Sequence, residues 1–205
     1  MVAGTAAPLP DLIGRVAILG GQRRNRTELC IALALRQTGQ NGVIVCLDAH
    51  RRQQLEMPFR LLLRKRAAYI PLPSDGTVSN AIAQRVLTTL QKGLQGDSND
   101  KEVPPPLLLL DGARETADWE QPLTFFLRTG VTIVEFLTSP AALVFGRYET
   151  TLLLQSDATS AEPISQAIGR KVEPEELMEL KKGEGYLIHL SQVYRVRLPS
   201  ASEEL

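Results

Sequence analysis

The apolar residues of this chain fall into short runs that are separated by stretches of helical periodicity. Runs typical of strands occur at residues 16–19, 43–47, 67–72, 107–110, 131–137 and 150–155. Between them, apolar residues recur three and four positions apart, as at Val78, Ile82, Val86 and Leu90, which predicts amphipathic helices. We expect helices at residues 27–37, 78–92, 120–128, 141–145, 157–168 and 174–180. Strands that alternate with helices predict an α/β fold of three layers with a largely parallel central sheet.

The remaining segments carry other signals. Residues 185–190 and 193–198 flank a turn and predict a C-terminal β-hairpin. Residues 1–13 and 199–205 show no period, and we expect flexible tails there. Residues 93–106 are polar and end in three prolines, which predicts a mobile surface loop. We interpret residues 1–205 as a single domain.

Two of the predicted strands end in an aspartate. Asp48 follows the run at 43–47, and Asp111 follows four consecutive leucines. A run of leucines without a polar residue is typical of a strand that is buried on both faces of a parallel sheet. Because the carboxyl ends of parallel strands meet at one edge of a sheet, we expect both carboxylates at that edge.

The connection after the first strand has the layout of a phosphate-binding loop. The motif G-x-x-x-x-G-K-[ST] is aligned with eight residues here: Gly20, Gly21, Gln22, Arg23, Arg24, Asn25, Arg26 and Thr27. Gly20 and Thr27 match the motif, whereas Asn25 replaces the second glycine and Arg26 replaces the lysine. Three arginines at the start of a helix favour anions, so this turn together with Asp111 is the candidate nucleotide or anion site.

Charge is distributed unevenly along the chain. Residues 1–70 hold eleven Lys/Arg and four Asp/Glu, although the whole chain has a net charge of zero. Six of these cations lie between the second and third predicted strands: Arg51, Arg52, Arg60, Arg64, Lys65 and Arg66. They could contact nucleic-acid phosphates, or they could cover a surface helix with their apolar stems.

Further features limit the class of protein. Cys30 and Cys46 lie among apolar neighbours, which predicts buried thiols and a reducing, cytoplasmic setting. No apolar run is long enough for a membrane span, and the first residues lack the pattern of a signal peptide. We see no set of residues for a metal site independent of nucleotide.

With these elements in place, the chain resembles P-loop ATPases of the HerA/FtsK-like branch, and most of all the ATPase domains of type IV secretion coupling proteins. The resemblance spans about residues 16–198. It rests first on the strands that end in aspartate, VIVCLD and LLLLD, and on the segment LRTGVTIVEFLTSPAAL. It rests also on the C-terminal order of elements: a strand, a helix that ends at Ile168 and Gly169, a short helix, the segment KKGEGYLIHL, and the hairpin. It implies an ATP-driven, ring-forming protein that handles DNA.

The departures from that family fall on the catalytic positions. Besides Asn25 and Arg26, Gly112 stands where the family has the glutamate that orients water, and Thr138 stands where it has a sensor glutamine. We therefore expect no catalytic residues and no bound cofactor, and we interpret the chain as an inactive ATPase-like protein. It would act as a binding or assembly module of a DNA-translocation or secretion machine, with a protein partner or copies of itself.

Two alternatives stay open. In the first, the chain is a weak ATPase in which Arg26 and Thr27 hold phosphates and Thr27 and Asp111 hold magnesium. Glu115 or a neighbouring subunit would then supply the missing carboxylate. In the second, Arg23, Arg24 and Arg26 bind nucleic-acid phosphates, and the basic region 1–70 contributes to that contact.

Overall fold

The computed structural model describes residues 6–39, 42–50, 67–96, 105–112, 117–144 and 146–203. Its strands are β1 (Ala7–Pro8), β2 (Arg15–Leu19), β3 (Ile44–Asp48), β4 (Ala67–Pro71), β5 (Leu107–Asp111), β6 (Thr132–Phe136), β7 (Thr150–Leu154), β8 (Glu184–His189) and β9 (Gln192–Arg197). Its α-helices are α1 (Arg23–Gly39), α2 (Gly76–Gly96), α3 (Ala117–Arg128), α4 (Ala158–Ala167) and α5 (Pro174–Met178). None of these helices is long and apolar enough to cross a membrane.

The nine strands of the described ranges form one sheet in the order β1-β9-β8-β7-β2-β6-β5-β3-β4. Every pair from β7 to β4 is parallel, and the hairpin β8–β9 joins β7 antiparallel. The predicted α/β fold with a largely parallel sheet and a C-terminal hairpin is therefore confirmed. Strand β6 lies between β2 and β5, which places the Asp111 strand two positions away from the phosphate-loop strand.

The core lies on both faces of the sheet because successive side chains of a strand point to opposite faces. Val16 and Ile18 of β2 pack with Leu29 and Leu33 of α1 on one face. The other face is covered by two groups of helices. Helices α2 and α3 pack on β3 and β5, while α4 and α5 pack on β2, β7 and β8. Three layers result, as predicted.

Several predicted boundaries are wrong. Helix α1 begins at Arg23 and not at residue 27, and α2 continues to Gly96 into the segment predicted as a loop. The predicted helix at 141–145 is a single 3₁₀ turn, Pro140–Ala142. Segments predicted to be flexible tails are also partly ordered, since Ala7–Pro8 pairs with β9 and Ala201 packs on the core. The basic residues between 51 and 66 lie outside the described residues, as does Glu115.

Candidate functional site at the carboxyl edge of the sheet

The candidate residues lie at the edge of the sheet where the parallel strands end. Gly20 and Gly21 follow β2, while Asp48 and Asp111 are register partners at the ends of β3 and β5. Both aspartates are buried, with 0% and 1% of their surfaces exposed. The expectation that the two carboxylates share this edge is confirmed.

The turn after β2 packs closely against the end of β7. Gly20 and Gly21 have φ angles of +77° and +76°, a region that favours glycine. A Cβ atom on Gly20 would lie 2.4 Å from Ser156 Oγ and 2.7 Å from the carbonyl oxygen of Leu154. The N–H of Gly21 donates to the carbonyl oxygen of Gln155 at 3.0 Å. This N–H therefore bonds to the chain itself and not to a ligand.

Helix α1 begins at Arg23, so residues 23–26, which the motif alignment placed in the loop, are helical. The N–H of Arg26 donates to the carbonyl oxygen of Gln22 at 3.1 Å, the spacing of a helical turn. The Thr27 hydroxyl donates to the carbonyl oxygen of Arg23 at 2.9 Å, and Thr27 is 5% exposed. Thus Asn25, Arg26 and Thr27 all lie within the first two turns of α1.

The side chain of Arg26 extends from α1 to the end of β6. Its Nη2 donates to the carbonyl oxygen of Leu137 at 2.5 Å. The guanidinium carbon lies 5.6 Å from the centroid of the Phe136 ring, within the range of a cation–π contact. Arg26 therefore connects the start of α1 with the strand between β2 and β5.

The other two arginines of the turn are exposed to solvent. Arg24 pairs with Glu28 at 3.1 Å, and 80% of the Arg24 side chain is exposed. Arg23 is exposed as well. The predicted group of three arginines is therefore divided between one side chain that packs on β6 and two that face solvent.

Asp111 and Gly112 lie next to the imidazole of His50. The Nε2 of His50 is 3.6 Å from Asp111 Oδ1. Gly112 has a φ of +63°, and a Cβ atom there would lie 2.5 Å from His50 Nε2. Gly112, the position that the resemblance aligns with a water-orienting glutamate, thus has a left-handed backbone and an imidazole directly over it. The sequence analysis did not foresee this contact, because no local signal links His50 to Gly112.

The carboxylate of Asp48 is held in place by two hydrogen bonds within the chain. It accepts a hydrogen bond from the backbone N–H of His50 at 2.8 Å and another from the Tyr69 hydroxyl at 2.9 Å. The bond from Tyr69, which lies on β4, joins the end of β3 to that strand.

A small cleft of about 260 Å³ opens beside the turn. It is bounded by the Gly20–Gln22 turn, by Thr138 and Pro140 after β6, and by Ser156, Asp157 and Ser160 at the start of α4. Asp157 caps α4 by accepting hydrogen bonds from the Thr159 hydroxyl and the Ser160 N–H. These hydrogen bonds lower the pKa of Asp157 below its ordinary value.

The sequence analysis did not place Ser156 and Asp157 in the site. An aspartate directly before a helical stretch is the signal of an N-cap, but nothing local to it indicates that the cap faces the phosphate-loop turn. That proximity comes from the pairing of β7 with β2.

A buried ion pair joins β2 and β6 on the sheet face opposite α1. Arg15 Nε donates to Glu135 Oε1 at 2.6 Å, and only 11% and 7% of these two side chains are exposed. The Tyr148 hydroxyl donates to Glu135 Oε2 at 3.0 Å. Burial and the neighbouring Glu135 carboxylate raise the pKa of Tyr148 above its ordinary value. In the sequence, the only sign of this pair is the glutamate inside the apolar run VTIVEFL, which was not among the candidate residues.

Comparisons by sequence give no relatives, because no protein-family model matches the chain and no curated protein matches it either. Comparison by structure does give neighbours. The DNA-packaging ATPase B204 from Sulfolobus Turreted Icosahedral Virus matches with a TM-score of 0.67 at 10% identity, over 90% of this chain and 97% of that one. The genome packaging NTPase B204 from Sulfolobus turreted icosahedral virus 2, solved with ATP-gammaS, matches with a TM-score of 0.59 at 11% identity, over 90% and 96%.

Two further neighbours come from bacteria. VirB4 of Thermoanaerobacter pseudethanolicus matches with a TM-score of 0.60 at 12% identity, over 93% of this chain and 90% of that one. The cytoplasmic domain of the type VII secretion ATPase EccC from Thermomonospora curvata matches with a TM-score of 0.56 at 12% identity, over 92% and 24%. The chain therefore has the α/β fold of these packaging and secretion ATPases, and the fold class that its sequence predicted is confirmed.

Proposed function

We propose that this protein is an ATPase-like protein that does not hydrolyse nucleotide. In this proposal it serves as a binding or assembly module of a DNA-translocation or secretion machine. The observation that supports it is that the phosphate-loop groups bond to other parts of the same chain. The N–H of Gly21, the N–H of Arg26, the Thr27 hydroxyl and the Arg26 guanidinium all have intramolecular partners.

Phosphate binding at a P-loop depends on backbone N–H groups and a lysine that face the ligand. Here the N–H of Arg26 completes a helical hydrogen bond, so it does not point into the cleft. The Arg26 guanidinium is larger and flatter than an ammonium group and contacts Leu137. A nucleotide would have to displace these contacts before it could bind.

The residues present do not fit a magnesium nucleotide as they are arranged. A P-loop enzyme uses the hydroxyl at the Thr27 position and the carboxylate at the Asp111 position for the metal. Here Thr27 is only 5% exposed, and His50 lies 3.6 Å from Asp111. Gly112 provides no carboxylate to orient water, so the site lacks a group that phosphoryl transfer in such enzymes requires.

The test is a titration of the full chain with ATP, with ATP and magnesium, and with a short DNA duplex, followed by calorimetry. We expect no magnesium-dependent binding and no turnover above the background rate. Each missing catalytic group costs orders of magnitude, because phosphoryl transfer depends on electrostatic positioning. Turnover near one per second that is abolished by Asp111→Ala would overturn the proposal.

One observation favours a second candidate, nucleotide binding. A structural neighbour was solved with ATP-gammaS, and the cleft beside Gly20 and Gly21 is open in this chain. Nucleotide binding would require Arg26 to leave Leu137. The variant Arg26→Lys should then raise the affinity for ATP, since lysine is the residue of the motif, whereas Arg24→Lys should leave it unchanged.

Another observation favours contact with nucleic acid. Arg23 and Arg24 are exposed at the first turn of a seventeen-residue helix, where the helix dipole favours anions. If they contact DNA phosphates, binding should weaken steeply with salt, and the double change Arg23→Ala with Arg24→Ala should reduce the salt dependence. Binding that is equal for wild type and double variant would exclude this contact.

A further inference from the structure

An apolar groove lies at the edge of the sheet opposite the phosphate-loop turn. Its volume is about 540 Å³, and residues 7–13 form one wall. The other wall comes from the hairpin and includes Leu187, Tyr194 and Val196. Glu149 and Thr150, at the start of β7, close one end. We call this cleft the amino-edge groove.

Large apolar side chains around the groove are exposed to an unusual degree. Ile13 has 72% of its surface exposed and Tyr194 has 46%. Both residues line the groove. Within the described ranges, they are two of the seven large hydrophobic residues that are exposed, and they lie on the same groove. Clustered exposure of this kind marks interaction surfaces, whereas single exposed residues are ordinary.

The charged side chains that line the described part of the groove are both carboxylates. Asp11 lies at one side and is bonded to Arg36 at 2.7 Å. Glu149 lies at the other side, and its carboxylate sits over Gly14, where a Cβ atom would be 2.3 Å from Oε2. Glu149 is exposed, and it has no ion pair with any residue that the structure describes. An apolar floor with an exposed carboxylate at its mouth complements an apolar segment that carries a cation.

We propose that the amino-edge groove binds a segment of a partner protein in which a lysine or arginine adjoins apolar residues. The apolar side chains would cover Ile13 and Tyr194, and the cation would pair with Glu149. This inference goes beyond the proposed function and does not depend on the state of the phosphate-loop turn, because the two features lie at opposite edges of the sheet.

The test uses two fluorescent ten-residue peptides of leucine and valine that differ only in carrying two lysines or two glutamates. Binding to the full chain is followed by fluorescence anisotropy. We expect the lysine peptide to bind and the glutamate peptide to bind about tenfold more weakly or not at all, a difference typical of one charge pair. Glu149→Lys should reverse this preference.

Matched substitutions distinguish peptide binding in the groove from non-specific adhesion to the protein surface. Ile13→Ser and Tyr194→Ser should each weaken the lysine peptide about tenfold. Val78→Ser is the control, since Val78 is 48% exposed on α2 and does not line the groove. Circular dichroism would verify that the variants fold. Because there are two groove variants, the comparison stands even if one of them does not fold.

Three outcomes would overturn the proposal. In the first, the order of the two peptides is unaffected by Glu149→Lys. In the second, Val78→Ser weakens binding as much as Ile13→Ser does. In the third, sedimentation shows that the unliganded chain is a dimer and that Ile13→Ser dissociates it, so that a second copy covers the groove.

Discussion

Arg26 provides a measurable link between α1 and the central strand β6. The substitution Arg26→Ala removes a hydrogen bond from a charged donor to the carbonyl oxygen of Leu137, which is worth about 1.5–3 kcal/mol. It also removes a cation–π contact with Phe136, which adds about 0.5–1 kcal/mol at a partly exposed site. Because part of the side chain remains hydrated, we expect a net loss of about 2–3 kcal/mol in the free energy of unfolding.

Arg24 is the matched control for this substitution. It lies on the same helix two residues earlier, and its exposed pair with Glu28 has the spacing i,i+4. Such pairs contribute about 0.3–0.5 kcal/mol, so Arg24→Ala should have little effect. The two substitutions remove the same side chain from the same helix turn and differ chiefly in the contact with β6.

Urea denaturation of both variants, followed by circular dichroism, gives the comparison. The expected difference of about 2 kcal/mol corresponds to a fall in melting temperature of roughly 4–8 °C for a chain of this size. Arg26→Lys should lie between the two, since lysine keeps the charge but lacks the flat guanidinium. If Arg26→Ala is no less stable than Arg24→Ala, the contact with Leu137 does not hold α1 on β6.

Three further predictions concern other contacts of the site and its surroundings. Glu135→Ala should cost about 3–5 kcal/mol by leaving Arg15 buried without its carboxylate, whereas replacing both residues by methionine should cost much less in the same urea assay. Gly112→Glu should cost at least about 1–2 kcal/mol, because a side chain there has a left-handed backbone and meets His50, and it should not create hydrolysis in a phosphate-release assay. Burial and the Glu135 carboxylate raise the pKa of Tyr148 above its ordinary value of 10.0, so the protonated tyrosine stabilises the fold below pH 10 and loses this effect as the pH rises further. In thermal melts from pH 8 to 11, Tyr148→Phe should therefore lose less stability at the alkaline end than the wild type does.

The order of strands and helices could be predicted well from the sequence. The four leucines of β5 form a strand between β3 and β6 and are buried, because only a strand covered on both faces tolerates a run without polar residues. The terminal hairpin was also predicted correctly, since its two strands alternate around a short turn. These signals lie within a few neighbouring residues, which is why sequence alone reveals them.

The geometry of the candidate site could not be predicted in the same way. The motif alignment assigned Arg23 to a loop, whereas the structure begins α1 there. Arg26 contacts Leu137, which is 111 positions away, and His50 packs over Gly112 from a different strand end. Contacts of this kind depend on which strands become neighbours, and no local pattern in the sequence specifies them.

The two glycines after β2 have a consequence for how phosphate-loop motifs are interpreted in folds of this kind. Both adopt positive φ angles, and a methyl group on either would collide with Leu154 or Ser156 of the neighbouring segment. A side chain at Gly20 meets the backbone of Leu154, and the positive φ disfavours a side chain at both positions, so the fold itself favours glycine there. A chain that has abandoned nucleotides would still retain this pair under selection for folding. Glycines at the start of a phosphate loop are therefore favoured by the packing at the sheet edge. A sequence search for active ATPases that gives these glycines a high score will also find proteins that have the fold but do not hydrolyse nucleotide.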